Sequence, residues 1–177
     1  MKHAKGRSLI VALALLATTA SAWASGQNYG AAAAAAALTS GKALAVADML
    51  RWAAEDEYLA HGEYATILRK FGDVGPYSTI ISTEEQHLDW LRAEYITRGL
   101  AFPADGSTPY MVVPTDLKAA AQAGVDAEIS NIAMYKAFLA QPEVSGYENA
   151  SVKTLFERLM RASENHLRAF NTQSSKY

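Results

Sequence analysis

Glu84-Glu85-Gln86-His87 and Ser163-Glu164-Asn165-His166 each set a histidine on the inward face of a predicted helix. Glu84 and His87 are three residues apart, and side chains at that spacing are neighbours on a helix, so a carboxylate and an imidazole reach one point. Glu57 and Glu128 fall on the inward faces of two other predicted helices. Carboxylates and imidazoles converging from four helices are how a bundle holds a pair of redox metals. A buried carboxylate without a partner is costly. The stripes that contain Glu57, Glu84 and Glu128 carry no basic residue, which leaves metal ions as the simplest source of positive charge. The chain has no cysteine, so any metal is held by oxygen and imidazole nitrogen. Three carboxylates and two imidazoles suit iron or manganese, with zinc as an alternative. The candidate metal ligands are therefore Glu57, Glu84, His87, Glu128 and His166.

Each residue alone has a plainer explanation. Glu57 sits in the charged run Glu55-Asp56-Glu57, Glu128 can face a bundle edge, and a single inward histidine is more often a hydrogen-bonded core residue. Fitting all five to one four-helix arrangement is what favours the metal. His61, one turn after Glu57, is an additional ligand or a partner of one. Tyr64, Tyr95 and Tyr135 are core residues whose hydroxyls would serve as donors to ligands, and Asn131 offers a further oxygen.

Four periodic segments must carry these residues. The first runs over 41–71, with Leu50, Ala54, Glu57, His61, Tyr64 and Leu68 recurring at helical intervals; Gly72 stops it. Pro76 suits the start of the second, whose inner face holds Ile80, Ile81, Glu84, His87, Leu88, Leu91 and Tyr95, and Gly99 ends it. Residues 99–114 contain Pro103, Gly106, Pro109 and Pro114 and are not helical. Extended at ~3.3 Å per residue they cover ~50 Å, more than the ~30 Å of a twenty-residue helix. The connection can thus cross the bundle, while the shorter links on either side favour antiparallel neighbours. The third helix starts at Thr115 or Asp116, both suitable caps, and runs to Leu139 with Val125, Glu128, Ile132 and Tyr135 inward. The fourth runs from Asn149 to Asn171. Leu155, Leu159, Ala162, His166 and Phe170 line one side of it, and Glu157, Arg161, Glu164 and Arg168 form a solvated face of helical charge pairs. The expected fold is all-α: a ferritin-like four-helix bundle of two antiparallel hairpins joined by a long crossover.

The first residues read as an export signal. Lys2, Lys5 and Arg7 precede the apolar run Leu9–Ala17, and Ala22-Trp23-Ala24 supplies the small-x-small pattern of a cleavage site. Residues 1–24 are taken as signal peptide, 25–40 as an alanine-rich linker, 41–172 as the bundle domain and 173–177 as a tail. Cleavage removes three basic residues and no acidic ones, leaving 13 Lys+Arg against 18 Asp+Glu, a formal charge of −5. No basic patch remains to bind nucleic acid or an anionic membrane. The expected location is the periplasm or the exterior.

Leu159-Met160-Arg161-Ala162-Ser163-Glu164-Asn165-His166-Leu167-Arg168-Ala169-Phe170 resembles the last-helix signature of an uncharacterised ferritin-like family, a domain of unknown function within the di-iron carboxylate superfamily. Glu57-Tyr58-Leu59-Ala60 with Tyr64, Glu84-Glu85-Gln86-His87 with Asp89, and Gly124 with Glu128 and Ile132 resemble its other helices, so the likeness covers roughly residues 45–171. The resemblance implies a carboxylate–histidine metal centre, with iron, dinuclear or not, as cofactor. Di-iron members of the wider superfamily are oxidases, peroxidases, peroxide reductases and storage proteins. A second Glu-x-x-His would need a glutamate at 163, where this chain has Ser163, and one ion or an asymmetric pair both stay open. The expected function is a ferroxidase or peroxide-reducing centre that takes oxygen or peroxide. The alternatives are a periplasmic metal buffer or storage subunit, which would need a homo-oligomer, and a metal-free helical interaction protein.

Overall fold

Alanine is the strongest helix former, and the run Ala31–Ala37, expected to be a linker, is part of a helix, α1 (Gly30–Thr39). Residues 28–41 and 43–177 are described here by a computed structural model; the proposed signal peptide and its cleavage site lie outside them. The first orphan amides of α1 are satisfied by the next helix rather than by a local cap. Gly30 N–H donates to Glu55 Oε2 (3.1 Å) and Ala31 N–H to Asp56 Oδ1 (2.9 Å). Two carboxylates at a helix N-terminus also oppose its dipole favourably. Gly30 has φ +55°, and a Cβ there would stand 2.7 Å from Asp56 Oδ1, so glycine permits this approach. Small side chains let α1 lie close on α2 and α4, with Ala34 fully buried.

The long helices are α2 (Val46–Phe71), α3 (Tyr77–Thr97) and α4 (Leu117–Leu139), then, after the single turn α5 (Pro142–Ser145), α6 (Ala150–Ser174). No strand occurs among the described residues. The expected boundaries hold to within a few residues because their signals are local. Gly72, at φ +83°, receives the end of α2, and its N–H donates to Leu68 O. Beyond α3, Gly99 N–H donates to Ile96 O and Leu100 N–H to Tyr95 O, the paired bonds of a glycine-terminated helix. Asp116 is the cap of α4, its Oδ1 accepting from Ala119 N–H at 2.8 Å. Each of α2 and α6 packs against both α3 and α4, except that α2 and α6 are not paired with one another among the principal contacts.

Two apolar clusters fill the interior. One gathers Leu50, Trp52, Leu91, Tyr95, Phe138 and Phe156 with their neighbours; the other gathers Tyr64, Ile67, Tyr77, Ile80, Val125 and Phe170. On every long helix the two clusters are separated in sequence by a stretch that carries a buried polar residue. The chain between α3 and α4 is laid along α2. Tyr58 donates to Pro103 O, Val112 N–H donates to Glu63 Oε1 (3.0 Å), and Lys70 Nζ donates to Pro114 O (2.7 Å). In the charged stripe of α6, Arg161 and Arg168 are exposed while Glu157 and Glu164 are half-buried, and the four form no ion pairs with one another among the described residues. Arg158, beside that stripe, lies over the Trp90 ring, 3.8 Å from its centroid.

Candidate metal centre

Between the two apolar clusters lies a layer of Glu57, Glu84, His87, Glu128 and His166, exposed by 4%, 2%, 2%, 1% and 7%. All five sequence-predicted ligands are thus buried. Glu57 comes from α2, Glu84 and His87 from α3, Glu128 from α4 and His166 from α6. Their ligand atoms fall into two sets. Glu57, Glu84 and His87 each offer an atom, all within 4.8 Å of one another; so do Glu84, Glu128 and His166. Glu84 belongs to both sets. His87 Nδ1 is 3.0 Å from Glu57 Oε2 and 2.9 Å from Glu84 Oε2, and His166 Nδ1 is 3.2 Å from Glu84 Oε1 and 3.3 Å from Glu128 Oε1.

Tyrosine hydroxyls orient two of the carboxylates. Tyr135 donates to Glu57 Oε1 at 2.8 Å and Tyr64 to Glu128 Oε1 at 3.2 Å. Burial raises both hydroxyls well above the ordinary tyrosine range, and the neighbouring carboxylates add to it, so both are neutral donors. Tyr95, expected alongside them, instead packs edge-on against Phe102 in the larger cluster. His61 pairs with the exposed Glu85 at 3.3 Å and belongs to neither set. Asn131 is buried on α4.

The electrostatics of the layer are those of protons held among carboxylates. Burial opposes a charge on His87, but Glu57 and Glu84 outweigh it and raise the imidazole to about 10. Burial likewise opposes His166, whose bonds to Glu128 and Glu84 raise it to about 9. Burial pushes Glu57 up to about 7 despite the pull of His87. Burial would also raise Glu84, yet the bonds from His166 and His87 prevail and hold it down at about 2. No Lys or Arg pairs with these carboxylates among the described residues.

The donor set suits a metal on two counts. His87 Nε2 and Glu128 Oε2 are buried without a hydrogen-bond partner, and a buried polar atom left unpaired is uncommon in a native protein. The donors are oxygen and imidazole nitrogen, a set that could hold a divalent metal ion.

Three buried carboxylates escaped the sequence reading. Asp56 caps α1, and Glu63 accepts from Val112 N–H. Glu94 binds Arg98 Nε (2.7 Å) and Ser151 (2.8 Å). The Glu94–Arg98 spacing of four is a legible helix pair; the partners of Asp56 and Glu63 lie 25 and 49 residues away and leave no local trace.

The chain matches no protein-family model, no curated protein and no solved structure.

Proposed function

We propose that this chain is an exported ferritin-like protein whose four long helices hold a dinuclear non-haem centre of iron or manganese. The observation that carries the reading is the sharing of Glu84 between two buried sets of ligand atoms. A carboxylate on α3 that belongs to both sets would serve two ions even though Ser163 stands where a second Glu-x-x-His would place a glutamate. The basic start, apolar run and Ala22-Trp23-Ala24 motif support export.

The ferritin-like crossover is supported by register. Glu57 meets Tyr135 and, two turns later on α2, Tyr64 meets Glu128, earlier on α4. Contacts that advance along α2 and retreat along α4 belong to antiparallel helices. Residues 72–76 are too few to join α2 and α3 except as an antiparallel pair. On that arrangement α3 and α4 run parallel, and the chain laid along α2 is the crossover between them.

Iron or manganese, when bound, would be the electron donor to oxygen or peroxide, the metal being oxidised as the oxidant is reduced. The protein's part is to hold and shield it. Glu84 spans the layer, Tyr135 and Tyr64 fix the carboxylates of Glu57 and Glu128, and the two apolar clusters keep bulk water away. His87, His166 and Glu57 release protons as the cations enter, which keeps the charge of a buried layer small.

The test is metal content by mass spectrometry on mature protein purified without an affinity tag, beside Glu84→Ala/His87→Ala. Near two equivalents of iron or manganese, lost in the double variant, is expected. No metal after anaerobic reconstitution would sink the reading.

A further inference from the structure

We infer that Trp90 and Arg158 form a gate in the seam between α3 and α6, through which divalent cations pass between solvent and the carboxylate–histidine layer. The inference rests on the metal reading above and adds the route by which that centre is filled. The two helices meet side chain by side chain in opposite directions. His87 stacks on His166 with ring centroids 5.7 Å apart, Trp90 meets Arg158 one turn further along α3, and Glu94 meets Ser151 one turn beyond that. The pairs α2–α3 and α4–α6 pack along much of their length, whereas the α2–α4 and α3–α6 seams are looser. Helix α1 lies on both α2 and α4 and roofs the first of these. The α3–α6 seam instead carries an open groove of about 470 Å³, whose walls include Trp90, Glu94, Thr97, Leu155 and Arg158.

Trp90 touches the groove on one side and the layer on the other. Its side chain lines the groove, and its ring lies 5.2 Å from that of His87, centroid to centroid. His87 is buried, and its Nε2 has no partner. One half-buried indole thus separates a ligand ring from an open groove. Ala162 stands one turn from both Arg158 and His166 on the same face of α6, and its methyl leaves the filling of the seam to that indole. The closure is held by contacts that break readily. Arg158 is exposed and rests on the Trp90 ring, forming no ion pair among the described residues. A cation–π contact at an exposed site is weak. When Arg158 swings into solvent, the indole is free to turn into the groove, and His87 meets water while both helices stay in place.

The experiment mixes the metal-free mature chain with cobalt(II), follows the visible cobalt bands by stopped flow, and measures release into excess chelator. A gate lies on the path and not at its end, so opening it speeds entry and exit alike and leaves their ratio, the Kd, unchanged. Trp90→Ala is expected to raise both rates about tenfold or more, with a Kd within about twofold of the wild type. Arg158→Ala raises both rates by less, and Trp90→Phe, which keeps a ring over His87, lies nearest the wild type. Ile80→Ala loosens the other apolar cluster, away from the seam, and is expected to change neither rate. Unchanged rates in Trp90→Ala would overturn the gate. A Kd weakened through faster release alone would overturn it too, making Trp90 a support for His87. Equal acceleration in Ile80→Ala would do the same, by showing that entry needs only a looser bundle. Each of these leaves the metal reading intact, whereas no cobalt uptake by any of the proteins overturns both. Arg158→Ala, a surface change, decides the matter if Trp90→Ala does not fold.

Discussion

Glu57 has both oxygens committed, Oε1 to the Tyr135 hydroxyl and Oε2 to His87 Nδ1. A carboxylate held from behind in this way presents a fixed lone pair to a cation, and outer partners of that kind are typically worth ~10–100-fold in metal affinity. Tyr135→Phe keeps the packing against Phe138 and Phe156 and removes only the hydroxyl. Its expected outcome is an unchanged metal count with affinity lower by about tenfold or more, read by competition with a chromophoric chelator. Protons make a second prediction. Cations must displace those on His87, His166 and Glu57, so affinity rises with pH until about 9 to 10. Metal-free stability has the opposite slope. The raised imidazoles stabilise the fold fully below their ordinary 6.5, and that contribution is lost as pH climbs through about 9 and 10. Glu57, raised from 4.5 to about 7, also loses stability across that interval because the folded form holds the extra proton. Glu84, held at about 2, acts in acid: its contribution is present above 4.5 and lost as pH falls through 2. Thermal unfolding in chelator should show a melting temperature that falls from pH 6 to pH 10; a flat profile would contradict the proton-filled layer.

Helix α1 depends on its neighbour. Alanines bury little area each, and Tyr29 at its N-cap gives no side-chain capping bond, so Glu55 and Asp56 of α2 do the capping. Asp56→Ala leaves the Ala31 N–H without its acceptor, at a cost of ~1–3 kcal/mol. The expected result is faster amide hydrogen exchange across residues 31–39 and a lower unfolding midpoint, with metal content unchanged; loss of metal would tie α1 to the centre itself. The same helix shows where reading the chain falls short. An alanine run has no apolar–polar contrast, so it carries no period, and its caps are 25 residues distant. The four long helices were legible because glutamates and histidines interrupt apolar stripes at three- and four-residue steps, and because Gly72, Gly99 and Asp116 act on adjacent backbone. Those interruptions also located all five residues of the layer. What spacing could not supply was the pairing across helices: that Glu84 belongs to both sets, that Tyr64 and Tyr135 are the donors while Tyr95 is not, and that His61 turns to Glu85.

Across the bundle, a polar layer separates two apolar clusters that would otherwise form one continuous core. Such a layer is poor support for a fold, because removing buried charges from water offsets most of what their attraction returns. Replacing it shows what the layer is for. Leucine at Glu57, Glu84, His87, Glu128 and His166, with Tyr64→Phe and Tyr135→Phe so that no hydroxyl is left unpaired, joins the clusters with residues of comparable bulk. In chelator this variant is expected to exceed the metal-free wild type by ~1–4 kcal/mol in denaturant unfolding. It should bind no metal. Loading stabilises the wild type in turn, since free ion at a hundredfold excess over its Kd contributes ~2.7 kcal/mol per site. A variant less stable than the metal-free wild type would mean that the proton-bridged layer itself holds the helices together, and the burial of five ionisable residues would then need no cation to explain it. The expected order places both the apolar variant and the loaded protein above the metal-free protein. It follows from a chain that keeps charge in its interior for binding at some expense of stability.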